Sequence, residues 1–218
     1  VLFSEDVSHL NIQKLSKVLN KIDPSLFPEV SGMLFFKNFT KLMNKADDPM
    51  IGMKFYNQMM GKNKKLTEQL IKGTAQAQGK NADEAWLGFQ KLMTIYKSTG
   101  FKATKGSSTA ARTEQIAEWK KLGIPLEGLD ITKPSSLLEG FKNYLFNSRA
   151  EDLAKAFTDP NGIEKLMKIA NASRWGQVSS NMNAIFGLIP EEVKEGEPEH
   201  IKQQNIIKNE LLNKTGVE

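Results

Sequence analysis

The stretch DEAWLGFQKLMTIY, at residues 83–96, decides the fold class of this chain. Its large apolar residues recur with helical spacing, and the members of this set are Trp86, Phe89, Leu92, Met93 and Tyr96. This spacing gathers them on one face of an α-helix, whereas a half-buried strand would need strict alternation of apolar and polar residues. Asp83 stands just before the set, and we predict that it caps the helix by accepting hydrogen bonds from free backbone amides.

The same helical spacing recurs on both sides of this stretch. Near the N-terminus it is carried by Ile12, Leu15, Leu19 and Ile22. Asp-Pro pairs indicate further helix starts, because aspartate accepts from the first amides and proline needs no amide partner. These pairs lie at residues 23–24, 48–49 and 159–160. No run of alternating β-branched residues indicates a strand. We therefore predict an all-α fold, a multi-helix array of about nine short helices, either compact or extended.

Composition divides the chain into four predicted segments. They are a Met- and Phe-rich helical segment at 1–72, a central helical segment at 73–147, a segment with Asp-Pro-capped helices at 148–190, and an acidic linker with a C-terminal amphipathic helix at 191–218. Within the second segment, GTAQAQGKN at residues 73–81 predicts a loop, because glycine and small polar residues dominate it.

The residues that carry most enzyme and metal chemistry are scarce. The chain has no cysteine and only two histidines, His9 and His200, which are far apart in the sequence. Disulfides, thiol nucleophiles and cysteine-based metal sites are excluded, and no metal-ligand spacing or glycine-rich phosphate loop is found. We therefore predict no catalytic residues, cofactor, metal or small-molecule substrate in this chain. A longer parent chain would have room for a catalytic module elsewhere.

Methionine is concentrated in one region. Six of the nine methionines fall between residues 33 and 60, among several phenylalanines. Because methionine adapts its shape to different partners, this region is a candidate interaction surface. Its residues are Met33, Phe35, Phe36, Phe39, Met43, Met53, Phe55, Met59 and Met60. Two other interpretations stay open: these side chains form a hydrophobic core, or they make transient contact with a membrane.

Residues 148–189 have a distinctive sequence pattern. They read SRAEDLAKAFTDPNGIEKLMKIANAS and SRWGQVSSNMNAIFGLI. This segment resembles the C-terminal helical parts of the internal core, or ejection, proteins of short-tailed bacteriophages. The resemblance implies a helical component of the virion interior, assembled above the portal with other virion proteins or copies of itself, and active in genome delivery. The Glu-Ser dipeptide of the lytic transglycosylase module found in some such proteins is absent here.

The charge distribution supports an alternative function. The net charge is +5, and residues 1–72 carry eleven lysines against seven acidic residues. Only three cations are arginines, and arginine is the usual reader of guanine, so the alternative is non-specific association with nucleic acid through the basic first two thirds. No stretch approaches the roughly 20 apolar residues that span a bilayer. Outside a virion we expect a cytoplasmic location, and the absence of an initiator methionine predicts either a processed product or a fragment of a larger protein.

Overall fold

The computed structural model describes residues 8–43, 51–99, 108–128 and 150–185, and every regular element within them is helical. The α-helices in these ranges are α1 His9–Ile22, α2 Leu26–Met43, α3 Ile51–Tyr56, α4 Lys64–Ala77, α5 Ala82–Thr99, α6 Ser108–Lys121, α7 Ala150–Thr158, α8 Pro160–Asn171 and α9 Trp175–Ile185. A π-helical turn, Asn57–Lys62, follows α3 directly. The predicted all-α class is confirmed.

Helix α5 lies at the centre of the core. It contacts α3, α4, α6 and α8, so apolar side chains around most of its circumference are buried. The five apolar residues predicted to share a face are all among them. The predicted cap was wrong by two residues. Asn81 Oδ1 accepts from the amides of Asp83 and Glu84 at 3.1 and 3.2 Å. Asp83 instead forms an ion pair with Lys72 at 2.8 Å.

The contact between α5 and α8 depends on a glycine. A Cβ atom built on Gly88 would lie 1.8 Å from the backbone oxygen of Leu166, so the two helix backbones approach as closely as glycine alone allows. About one turn further along α5, the Lys91 side chain is only 4% exposed. Its Nζ donates to the backbone oxygen of Ala170 at 2.6 Å. That oxygen lies in the last turn of α8, where unpaired carbonyls attract a cation.

Helix α4 continues into the segment predicted as a loop. The prediction of a loop over residues 73–81 was wrong for its first half, because α4 ends only at Ala77. Gly73 does not break the helix. It lies under the ring of Phe27, whose Cε1 would be 2.3 Å from a Cβ at that position. The chain turns at Gly79, where a φ of 68° requires the left-handed conformation that glycine adopts without strain.

The first two helices bring one further correction. Ile22, predicted on the buried face of α1, is 74% exposed, so the last turn of α1 extends beyond the packed surface. Pro28 lies in the first turn of α2, where its missing amide has no helical partner. Between the helices, Asp23 accepts from the hydroxyl and the amide of Ser25 at 2.7 and 2.9 Å. These hydrogen bonds hold the pKa of Asp23 below its ordinary value.

The Asp-Pro pair at residues 159–160 starts a helix, as predicted. The Asp159 side chain accepts from the amide of Asn161 at 2.8 Å, and Pro160 is the first residue of α8. The corner between α7 and α8 is tight, since a Cβ on Gly162 would lie 2.0 Å from the backbone oxygen of Ala156. The pair at 48–49 and the predicted segment at 191–218 lie outside the described residues.

Aromatic rings join α2, α3, α5 and α7 in one cluster. The Phe39 and Phe55 rings stack with their centroids 5.3 Å apart, and the Phe89 and Phe157 rings meet edge to face at 5.2 Å. Side chains from three of the four predicted segments therefore share a core. Among the described helices, none combines the length and the hydropathy that a bilayer-spanning segment needs.

Candidate interaction surface

The nine residues of the predicted interaction surface fall into different environments. Fully buried in the core are Phe35, Phe39, Phe55 and Met59. Partly buried are Met53 and Met60. Among the eight whose side chains the structure describes, only Met33 and Phe36 are exposed, by 54% and 45%. The side chain of Met43 lies outside the described part of the chain. Of the nine candidate residues, Met33 and Phe36 of α2 therefore remain as the exposed surface. The four fully buried residues belong to a hydrophobic core, which was one of the alternative interpretations.

Helix α2 is apolar on two sides, and only one of them is covered by the described residues. Its inner side carries Phe35 and Phe39, which pack against Phe157 of α7 with ring centroids 6.1 and 5.9 Å away. Its outer side carries Met33 and Phe36. The described residues therefore bury the inner side of α2 and leave Met33 and Phe36 exposed.

Met33 and Phe36 line a groove of about 760 Å³ between α2, α7 and the start of α8. Its lining also includes Gly32, Ala154, Thr158 and Pro160. The groove is shallow where the two helices come closest. A Cβ on Gly32 would lie 3.5 Å from Thr158 Oγ1, which is ordinary van der Waals contact.

The groove wall is held in place by hydrogen bonds. Thr158 Oγ1 donates to the backbone oxygen of Ala154 at 3.0 Å, so the hydroxyl turns back into its own helix. The backbone oxygen of Thr158 accepts from Gln78 Nε2 at 2.7 Å, which ties the end of α7 to the end of α4. The end of α7, which forms one wall of the groove, is therefore anchored to α4.

The rim of the groove carries charges of both signs. Glu29 and Lys37 lie on the α2 side, and Glu151 and Lys155 lie on the α7 side. Glu151 and Lys155 form an ion pair at 3.4 Å across one turn of α7. An apolar floor with a mixed polar rim is the usual composition of a protein–protein contact surface.

A second, more polar depression lies between the N-termini of α1 and α4. It has a volume of about 430 Å³, and its lining includes Ser8, His9, Asn63, Lys64 and Lys65. Neither helix has an acidic residue in its first turn, and the Asn63 side chain makes no capping hydrogen bond. Both lysines are exposed. The local field there is positive, because two helix N-termini and two ammonium groups converge.

Sequence reasoning missed Lys91. Its position between Phe89 and Leu92, inside the apolar stripe of α5, was the signal that could have identified it as buried. Burial lowers the pKa of Lys91. A buried lysine with a lowered pKa is sometimes a nucleophile, but here its ammonium is used to cap α8. Among the described residues, no group of acidic or histidine side chains is arranged to hold a metal ion.

Comparisons with known proteins assign no family to this chain. No protein-family model, no curated protein and no solved structure matches this chain.

Proposed function

We propose that this chain is a structural, interaction-type protein that docks a partner in the groove between α2 and α7. The observation that carries the proposal is the exposed apolar pair of Met33 and Phe36. Full burial of a methionine or phenylalanine contributes about 1.5–3 kcal/mol, so covering the exposed halves of both side chains would contribute about 2 kcal/mol. Exposed apolar side chains that line a common groove are typical of contact sites.

The setting we propose is the interior of a bacteriophage virion. It rests on the resemblance of residues 148–189 to internal core proteins, and it makes the chain part of the assembly above the portal that takes part in genome delivery. The expected partners are other virion proteins or copies of this chain. Mass spectrometry of purified, nuclease-treated particles should detect its peptides, and their absence from particles whose portal protein is detected would overturn this setting.

The docking surface itself is tested with a dye that binds exposed apolar grooves. We expect anilinonaphthalene sulfonate to fluoresce with the native chain and to lose most of that signal with the double variant Met33→Ser/Phe36→Ser. The matched control is Leu10→Ser/Val18→Ser on α1, whose side chains are similarly exposed, by 55% and 52%, but do not line the groove. Equal loss of signal in both variants would contradict a docking role for the groove.

The alternative proposal is non-specific association with nucleic acid. It is favoured by the positive depression at the N-termini of α1 and α4. Binding of a random-sequence duplex should weaken steeply with added salt, because each neutralised phosphate releases counterions. The variant Lys64→Glu/Lys65→Glu should reduce the salt dependence, whereas Lys120→Glu/Lys121→Glu, on exposed residues of α6, serves as the control. No binding at low salt would dispose of this alternative.

A further inference from the structure

Helix α1 carries a second set of exposed apolar side chains. Its inward side packs on α2 and α4 and buries Ile12 and Ser16. Three apolar side chains of the same helix lie on the outside: Leu10 is 55% exposed, Val18 52% and Ile22 74%. Val18 and Ile22 are four residues apart and are therefore neighbours on the helix surface. None of the three lines the groove between α2 and α7, so this surface is separate from both the core and the groove.

The outside of α1 is also positively charged. Lys14, Lys17 and Lys21 are exposed, and their spacing of three and four residues places them in one stripe along the helix. Helix α1 contains no aspartate or glutamate. None of the three ammonium groups forms an ion pair with a carboxylate in the part of the chain that the structure describes. Asp23 follows the helix, but its carboxylate accepts hydrogen bonds from Ser25.

The start of α4 extends this positive surface. Lys64 and Lys65 are exposed there. They line the depression of about 430 Å³ together with Ser8 and His9, which lie at the start of α1. The cations of α4 therefore lie close to one end of α1, and the charge of both helices acts in the same direction on an approaching anionic surface.

We propose that the outer face of α1 binds an anionic lipid surface, with the helix lying in the plane of the headgroups. The ammonium groups contact the anionic headgroups, and the exposed apolar side chains enter the boundary between headgroups and acyl chains. Lysine suits this position because its apolar stem lies along hydrocarbon while its ammonium group reaches the headgroups. Interfacial helices combine apolar burial and electrostatic attraction in this way. The proposal does not depend on the groove between α2 and α7.

The exposed apolar side chains favour lipid over nucleic acid as the occupant. The phosphates of a duplex would be neutralised by the lysines alone, and Val18 and Ile22 would stay in contact with water. Helix α1 contains no arginine to read guanine and no phenylalanine, tyrosine or tryptophan to stack on bases. A lipid surface uses the charged and the apolar side chains together.

Cosedimentation of the whole chain with sucrose-loaded vesicles tests the charged part of the contact. The chain should bind vesicles of phosphatidylcholine with about one third phosphatidylserine more tightly than vesicles of phosphatidylcholine alone. Lys17→Gln/Lys21→Gln should weaken binding to the anionic vesicles about 25-fold, since each lysine near such a surface contributes a factor of about five. The matched control is Lys120→Gln/Lys121→Gln, which removes the same charge from exposed residues at the end of α6 and should bind like the native chain.

A second pair of variants tests the apolar part of the contact. Val18→Gln/Ile22→Gln keeps the charge and should weaken binding to the same vesicles about tenfold, because two side chains no longer enter the bilayer. Met33→Gln/Phe36→Gln removes exposed apolar side chains from the groove instead and should bind like the native chain. Circular dichroism of each variant checks that the helical fold is kept.

A fluorescent label reports insertion directly, because the chain has no cysteine of its own. Nitrobenzoxadiazole attached to Ile22→Cys should shift its emission to shorter wavelength when the anionic vesicles are added, and the same label on Met33→Cys should not. Absence of binding to the anionic vesicles, or equal losses in the test and control variants, would overturn the proposal. Binding that depends on Lys17 and Lys21 but not on Val18 and Ile22, with equal lysine dependence for a random-sequence duplex, would overturn it in favour of a general polyanion surface.

Discussion

Replacing Gly88 by alanine should separate the two helices at the centre of the core. In an unconstrained helix interior, alanine is favoured over glycine by about 1 kcal/mol. At this position a Cβ would lie 1.8 Å from the backbone oxygen of Leu166, and real Cβ atoms essentially never come within 3.0 Å of another heavy atom. The helices would therefore have to move apart by about 1.2 Å, enough to forfeit a large part of the dispersion energy across the contact.

The expected loss of stability follows from that separation. Overpacking of a core typically costs about 1–3 kcal/mol, and here the clash is with backbone, which no change of rotamer relieves. Taking the upper value and subtracting the helix propensity of alanine leaves a net destabilisation of about 2 kcal/mol. The hydrogen bond from Lys91 to Ala170, in the same contact, would be strained by the same movement.

Urea denaturation followed by circular dichroism measures this effect, with Gly176→Ala as the matched control. Gly176 lies in the first turn of α9, and a Cβ there would meet nothing within 4 Å. We expect Gly176→Ala to raise the free energy of unfolding by about 0.5 kcal/mol, because alanine restricts the unfolded chain. If Gly88→Ala were as stable as the native chain, the close contact between α5 and α8 would be refuted.

Three further predictions concern individual polar groups. Since burial lowers the pKa of Lys91 in the folded chain, the unfolded chain binds more protons just below the ordinary value of 10.5. The free energy of unfolding should therefore rise with pH across that alkaline interval. Lys91→Met should flatten the rise, which urea titrations at several alkaline pH values would show. Asp159→Ala should lower the free energy of unfolding by about 1 kcal/mol in the same denaturation assay, because the first turn of α8 loses its cap. Ser25→Ala should raise the pKa of Asp23 toward its ordinary value of 3.8, measured by NMR titration of the carboxyl carbon, and an unchanged pKa would contradict the hydrogen bonds seen here.

The sequence predicted two helical features whose causes lie within a few neighbouring residues. The apolar spacing of α5 and the Asp-Pro start of α8 each depend on a few neighbouring residues, and both predictions were confirmed. The loop predicted at residues 73–81 was wrong for its first half, where glycine and small polar residues were interpreted as a loop. Gly73 instead accommodates the ring of Phe27, which is 46 residues away in the sequence.

The candidate interaction surface was likewise predicted in part by the sequence and decided in part by the tertiary structure. The sequence identified a region rich in methionine and phenylalanine, but composition does not say which side of a helix a core will cover. The structure separated Phe35 and Phe39 from Met33 and Phe36 because α7 packs against only one side of α2.

By itself, the sequence determined the all-α class, the scarcity of residues for metal or thiol chemistry, and the start of α8 at Asp159-Pro160. Only the tertiary structure decided which apolar side chains remain exposed, that Lys91 caps another helix, and that the distant rings of Trp119 and Trp175 stack 5.3 Å apart. The physical reason is the distance along the chain over which each effect acts. Helical spacing and capping act within about one turn, whereas burial depends on which helices meet. Two glycines permit the closest of these meetings: Gly73 makes room for the ring of Phe27, and Gly88 for the backbone of α8.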